Sequence, residues 1–303
     1  MTCDKALDNA KRSLEGLSVG DAFGELFFRL SPDQTTPGDL PPGPWRWTDD
    51  THMALSIVEV LASYGHIDQD ALAEAFARRF SEEPFRGYAG GAMRLLGLIA
   101  MGEDWRGLSP LSFGGGSYGN GAAMRAAPIG GYFHGDPQRA AHEARLSAVV
   151  THAHPEGQAG AISVAVAAAI AAQRPYPTGQ DFLSEVIRFV PEGLTREGIR
   201  RALLIPSEEL YDATQELGTG HRVSAQDTVP FCLWCAAHHL DRFEDALWWT
   251  VKGMGDCDTT CAIVGGIVAL SAQEIPDSLL KRREQLPIVK IEQGKNSEQP
   301  ESK

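Results

Sequence analysis

Apolar residues in this chain recur at intervals of three and four, and that period decides the fold class. Met53, Ile57, Val60 and Leu61 fall at i, i+4, i+7 and i+8, the spacing of one helical face. Ala71, Ala75 and Ala77 continue a second such segment, and Ile162–Ile170 reads as a helix of small residues packed closely on its neighbours. The pattern returns through 203–210, 231–240, 246–251 and 262–270. Few segments alternate with the period of two that a half-buried strand needs. Thr228–Trp234 is rich enough in β-formers to be ambiguous, but Pro230 cannot donate to a central ladder. The chain is therefore predicted to be all-α. At 303 residues it is long enough for a sizeable core. No linker divides it, so residues 1–289 are expected to form a single domain and the polar segment 290–303 a disordered tail.

The net charge of −13 restricts partners. Non-specific nucleic-acid binding relies on Lys and Arg neutralising phosphates, and docking on anionic membrane needs the same surplus of positive charge, so neither is expected. Residues 1–17 are polar and mixed in charge, unlike a signal peptide. The uncharged run Ala159–Ala172 is shorter than the ~20 residues that cross a bilayer. The five cysteines are not spaced as a disulfide framework. Cys232 and Cys235 form a CxxC inside an apolar run, without the second pair that a zinc site would need. A cytoplasmic monomer is the expectation.

Two acidic clusters stand at predicted helix starts near opposite ends of the chain: Thr48-Asp49-Asp50-Thr51 and Gly255-Asp256-Cys257-Asp258-Thr259-Thr260. Asp and Thr are favoured caps because their oxygens accept bonds from free backbone N–H groups, but one Asp suffices for that task. Crowded carboxylates raise one another's pKa unless a cation neutralises them. Carboxylates with Thr hydroxyls are hard ligands suited to Mg²⁺, Mn²⁺ or Ca²⁺. If the fold brings the two helix starts together, two divalent ions can share them as a hydrolytic clamp. On this expectation Thr48 and Thr259 point inward with the aspartates, and Cys257 points away.

The stretch from Phe113 to Gly121 is dense in glycine and runs into Ala122-Ala123-Met124-Arg125. Glycines let consecutive N–H groups approach an anion, and a helix beginning near Ala122 would add its positive end. The loop lacks the Gly-Lys-Ser/Thr of a Walker motif and follows no predicted strand, so phosphate binding and a flexible turn both remain open. Thr151-His152-Ala153-His154-Pro155 precedes the alanine-rich helix. His152 suits donation to a substrate oxygen or a helix cap better than zinc, since no acid or thiol lies nearby in sequence. His238 and His239 read as structural.

Taken in order, Gly20-Asp21-Ala22-Phe23-Gly24, Trp47-Thr48-Asp49-Asp50-Thr51, Ser117-Tyr118-Gly119-Asn120-Gly121-Ala122-Ala123-Met124-Arg125, Thr151-His152 and Gly255-Asp256-Cys257-Asp258-Thr259-Thr260 resemble the ADP-ribosylglycohydrolase family over residues 16–270. The resemblance implies an all-α orthogonal bundle with a central cleft holding two Mg²⁺ or Mn²⁺. It implies Thr48, Asp49, Asp50, Asp256, Asp258 and Thr259 as ligands. Tyr88, Gly90, Ser117, Tyr118, Gly119, Asn120, Gly121, Met124, Arg125 and His152 would contact substrate. Asp50 or Asp258 would relay a proton, and Glu25 is the acid nearest the place where family members carry a further catalytic one. The implied reaction is hydrolysis between ADP-ribose and a modified arginine or serine, or another ADP-ribosyl conjugate. The alternatives are an ADP-ribose-binding protein without turnover, and a dimetal hydrolase of another phosphorylated small molecule.

Overall fold

Gly16, Gly20 and Gly24 lie four residues apart on the first helix, α1 (Cys3–Glu25), and they set the centre of the fold. A Cβ at Gly16 would collide with the carbonyl oxygen of Gly265, one at Gly20 with that of Cys261, and one at Gly24 with that of Cys257. The three carbonyls belong to the penultimate helix or its first residue, so the two helices run antiparallel with their backbones in contact. The ends of the sequence thereby become the middle of the molecule.

The computed structural model describes residues 3–288, and helices carry the chain throughout them; the expected tail 290–303 lies outside. After α1 come α2 (Asp49–Tyr64), α3 (Gln69–Glu82), α4 (Gly90–Ala100), α5 (Trp105–Leu111), α6 (Ala127–Tyr132), α7 (Pro137–Val149) and α8 (Pro155–Ala171). Then follow α9 (Gly179–Ile187), α10 (Leu194–Ala202), α11 (Leu210–Leu217), α12 (Ala225–His238), α13 (Phe243–Val251), α14 (Cys257–Val268) and α15 (Asp277–Arg282). Among the described residues only isolated bridges, Trp45 with Arg283 and Gly119 with Ser224, have strand geometry. The all-α expectation holds. None of these helices is long and apolar enough to cross a membrane.

α8 is buried on every side, which is why its sequence shows no polar stripe. Its alanines keep it thin enough for neighbours to approach: Gly130 of α6 meets the Ala165 carbonyl, and Gly160 meets Ala225 of α12. The ambiguous stretch Thr228–Trp234 is helical, inside α12, with Pro230 in its second turn. The ring fills the space left by Gly198 on α10, so packing carries the proline that would otherwise interrupt a helix. Buried apolar side chains form one continuous cluster from Ala6 to Leu279. The proline-rich stretch 31–44 is mostly exposed, as expected, and leads to a short segment pinned by the C-terminal part of the described chain. There Trp45 N–H donates to Arg282 O (2.5 Å) and Glu284 N–H to Trp45 O (2.8 Å).

Candidate active site

α2 starts at Thr48, whose hydroxyl oxygen accepts from the Asp50 N–H at 3.4 Å. A second group supports the same turn. Asp21, one residue beyond Gly20 on α1, is fully buried and accepts from Thr48 N–H (3.0 Å), Thr51 N–H (3.0 Å) and the Thr51 hydroxyl (2.5 Å). These are the free donors of a helix start, and an anion there also meets the positive end of the helix dipole. Three of the free N–H groups at the start of α2 are thus met without the side chains of Asp49 and Asp50. One Asp50 oxygen accepts only from the Thr48 hydroxyl at 3.2 Å, and the other, Oδ1, is buried with no partner.

The start of α14 is built differently. Asp256 occupies the cap position, yet its side chain caps nothing. It accepts instead from the Asn120 amide at 2.7 Å, while Asn120 also donates to the Thr228 hydroxyl at 3.1 Å. The Asp256 N–H donates to Thr219 O at 3.0 Å. Asp258 accepts from the Thr259 N–H at 2.8 Å. Cys257 turns into the apolar core, away from the acids, as the alternation of side chains predicts.

The antiparallel contact of α1 and α14 brings both helix starts to one cleft of about 360 Å³, lined by Asp49, Asp50, Asp256, Asp258 and Thr259. Burial, then Asp21, pushes the Asp49 carboxyl up to about 7. Burial, then Asp258, raises Asp50 far above the usual carboxylate range, and burial, then Asp256, does the same to Asp258. Such a cluster is stable at neutral pH only with protons or cations to balance it. The orphaned Asp50 oxygen and the all-oxygen donor set fit a hard divalent ion. Among the described residues no three acidic, His or Cys side chains are drawn together as a ready-made metal cage. Thr48 stays behind the cleft wall, engaged in its cap.

The glycine loop forms the opposite wall. Gly114 and Gly116 adopt positive φ. Ser117 Oγ accepts from Gly119 N–H at 3.2 Å, and Tyr118 O accepts from Ala225 N–H at 2.9 Å. Ser117, Tyr118, Gly119, Asn120, Gly121 and Met124 all line the cleft. No helix starts at Ala122. A single 3₁₀ turn, Asn120–Ala122, is followed by α6 at Ala127, because the Asn120 side chain is drawn aside to Asp256 and Thr228. Arg125 also reaches the cleft, but its guanidinium is buried beside the Phe76 ring and donates to Ser147 O (3.1 Å), Thr151 Oγ1 (2.9 Å) and Gly121 O (3.3 Å). It braces the loop.

Arg125 can only donate, so Thr151 Oγ1 accepts from it, and the same hydroxyl pairs with His152 Nδ1 at 2.7 Å, which anchors the ring. His152 lines the cleft. Burial, then Arg125, pulls its pKa down to about 3, so the ring is neutral. His154 caps α8 by accepting from Glu156 N–H at 3.1 Å.

Besides Thr48, which was expected to point inward, three expected site residues lie outside the lining. Tyr88 faces inward, bonding His52 Nδ1 at 2.9 Å with its ring edge-on to Phe80, and the cleft wall is made instead by its neighbours Gly87 and Ala89. Gly90 opens α4 on the side away from the lining. Glu25 ends α1 half-buried, outside the lining, among the charges of Arg29 and Arg46. Cys232 and Cys235 are buried core thiols on α12, and Cys232 donates to Thr260 O at 3.7 Å. Asp21 went unassigned at the sequence level, although the Gly-Asp-x-x-Gly spacing that marks a close helix contact was a usable signal. Arg222, which also lines the cleft, carries no such local mark.

Comparison with known proteins agrees with this architecture. Residues 2–296 match the family model described as ADP-ribosylglycohydrolase. The chain is 31% identical over 281 residues to an uncharacterised protein of Archaeoglobus fulgidus, with 88% of each covered. It is 26% identical over 328 residues to human ADP-ribosylhydrolase ARH3, covering 90% of this chain and 88% of that one. It is also 26% identical over 287 residues to ADP-ribosylarginine hydrolase Tri1 of Serratia proteamaculans, covering 87% and 71%. A solved structure described as an ADP-ribosylglycohydrolase-related protein complex superposes with a TM-score of 0.67 at 25% identity, over 93% of this chain and 94% of that one. The family model spans nearly the whole chain and the helical architecture agrees with it, and the protein belongs to the ADP-ribosylglycohydrolase family.

Proposed function

We propose that the protein is a divalent-cation-dependent hydrolase that cleaves the bond between the anomeric carbon of ADP-ribose and a modified arginine or serine side chain. The observation that carries this reading is that Asp49, Asp50, Asp256 and Asp258 face one cleft, more carboxylates than two helix starts need as caps. The relatives named as ADP-ribosyl hydrolases support the substrate class.

Asp49, Asp50, Asp256, Asp258 and Thr259 would hold two Mg²⁺ or Mn²⁺, while the Thr48 hydroxyl supports Asp50 from its cap. When bound, such ions polarise water and orient ribose hydroxyls. The chain's own groups do the rest. Asn120 fixes the direction in which Asp256 presents its second oxygen. The N–H groups of the glycine loop would face the anionic part of the substrate, and His152 would donate a ring N–H to a substrate oxygen. Water adds to the anomeric carbon as the bond to the side-chain nitrogen or oxygen breaks. Asp50 or Asp258 takes the water proton and returns it to the leaving group. A cytoplasmic monomer belongs to the same proposal, which sedimentation and fractionation would check.

The test is release of free ADP-ribose from ADP-ribosyl-arginine and ADP-ribosyl-serine peptides with Mg²⁺, Mn²⁺, Zn²⁺ or EDTA. Release with Mg²⁺ or Mn²⁺, lost on chelation, is the expected result. No release from either peptide under any condition would overturn the activity, and full release after exhaustive chelation would overturn the metal requirement.

A further inference from the structure

An acidic protein that places four carboxylates in a cleft needs local positive charge to admit an anion. Among the described residues that line the cleft, only Arg125 and Arg222 are cations. Arg125 is buried, and its donors are engaged with Ser147, Thr151 and Gly121. His152 is neutral. Arg222 is exposed, and no partner for its guanidinium is found among the described residues.

Its backbone, by contrast, is held firmly. Arg222 N–H donates to Asp227 Oδ2 (2.8 Å), and Val223 N–H to Gly220 O (2.7 Å). Val223 is in the left-handed region at φ 51°, a conformation that a β-branched residue adopts only when its surroundings impose it. The same segment joins two walls of the cleft. Thr219 O accepts from Asp256 N–H at 3.0 Å, and Ala225 N–H donates to Tyr118 O in the glycine loop at 2.9 Å. A fixed turn therefore presents one uncommitted guanidinium between the second acidic pair and the glycine loop.

We infer that Arg222 is a substrate-binding residue that holds the diphosphate of the ADP-ribosyl group. The assignment rests on the proposed substrate class. A guanidinium matches phosphate oxygens in a two-pronged fork that a lysine ammonium cannot reproduce. Position favours the diphosphate over an acidic residue of the target protein, because Arg222 is tied to the glycine loop and to Asp256.

The experiment compares the dissociation constant of ADP-ribose, with Mg²⁺ present, for wild type, Arg222→Ala, Arg222→Lys and Arg222→Glu. An exposed residue without side-chain partners should leave the melting temperature unchanged. Arg222→Ala should weaken ADP-ribose binding roughly tenfold, Arg222→Lys should recover part of that loss, and Arg222→Glu should bind least. Raising KCl should weaken wild type more steeply than Arg222→Ala. Equal affinity in wild type and Arg222→Ala would overturn the assignment while leaving the hydrolase reading intact. A variant impaired only on peptides with acids beside the modified residue, with ADP-ribose affinity unchanged, would place Arg222 against the peptide and overturn it too. Wild-type protein that neither binds ADP-ribose nor cleaves the peptides would overturn the hydrolase reading and this assignment together.

Discussion

At the start of α2, three backbone N–H groups are satisfied by Thr48 and the buried Asp21, so Asp49 and Asp50 stand on a frame set by α1. At the start of α14, Asp256 depends on groups that belong to neighbouring loops of the cleft, the Asn120 amide from the glycine loop and the Thr219 carbonyl from the Arg222 turn, while Asp258 accepts from the Thr259 N–H of its own helix. Nearly the same short motif is thus fixed from behind in one case and from the ligand side in the other. The first pair has its position before anything binds. The second shares its supports with the loops that meet the substrate, so contacts to the anionic end of the ligand and the orientation of Asp256 are linked through Asn120.

Removing an acid from the more accessible pair should have the largest effect. Asp258→Asn is expected to slow ADP-ribose release on the order of a thousandfold. The metal-free variant should melt above metal-free wild type, because one of the mutually repelling carboxyls is gone. Turnover and thermal melting on the same preparation check both halves, and undiminished turnover would remove Asp258 from the chemistry.

Asp21→Ala tests the rear support. It leaves three donors of a buried helix start without their acceptor and should cost about 2–4 kcal/mol in urea unfolding. Asn120→Ala tests the front support. It should cost less than about 1 kcal/mol in stability but lower kcat/KM roughly ten- to a hundredfold, as loss of a group that orients a ligand does. If Asn120→Ala proved the more destabilising of the two, the contrast between the pairs would be broken.

The smallest effect is a shift with pH. Burial pushes Asp21 up to about 6 and Asp49 to about 7, from about 4 in an unfolded chain. A carboxyl raised on folding contributes stability below its unfolded value and loses it as pH rises through its folded value. Without divalent cations the cluster therefore becomes progressively destabilising between about pH 4 and 7. A cation that takes the place of the protons reverses this, so the melting-temperature gain from Mg²⁺ should be slight at pH 5 and greatest above pH 7. A gain independent of pH would show that the ion binds elsewhere.

Much of this was legible in the sequence, and the exceptions share a cause. The helical period, the two acidic helix starts, the glycine loop and His152 are local patterns, and the fold brings Asp49, Asp50, Asp256, Asp258, that loop and His152 to one cleft. Which side of a bend a residue faces is not local. Tyr88 was expected on the cleft from the family resemblance, yet His52 and Phe80 supply partners for its hydroxyl and ring on the other side. The helix expected at Ala122 shortened to one turn because Asn120 is needed by Asp256, a residue far along the chain. Pro230 argued correctly against a strand and did not prevent a helix, since Gly198 from another helix makes room for the ring. Asp21 is the instructive case. Its motif was visible, but a carboxylate whose work is to satisfy another helix's donors looks in sequence like any other.

The contact between α1 and α14 consists of main chain, and that has a consequence for how this architecture can diverge. Four residues advance a helix by about 6 Å, so the steps from Gly16 to Gly20 to Gly24 match those from Gly265 to Cys261 to Cys257 taken in reverse. Slipping either helix by one residue would drive a Cβ into a carbonyl. The pairing behaves as a vernier with few permitted settings, and it fixes the offset between Asp21 and Asp258 whatever fills the surrounding core. Apolar residues elsewhere can be exchanged one for another while the two half-sites keep their spacing. An alanine at Gly20, a small change by most measures, would move one half-site relative to the other.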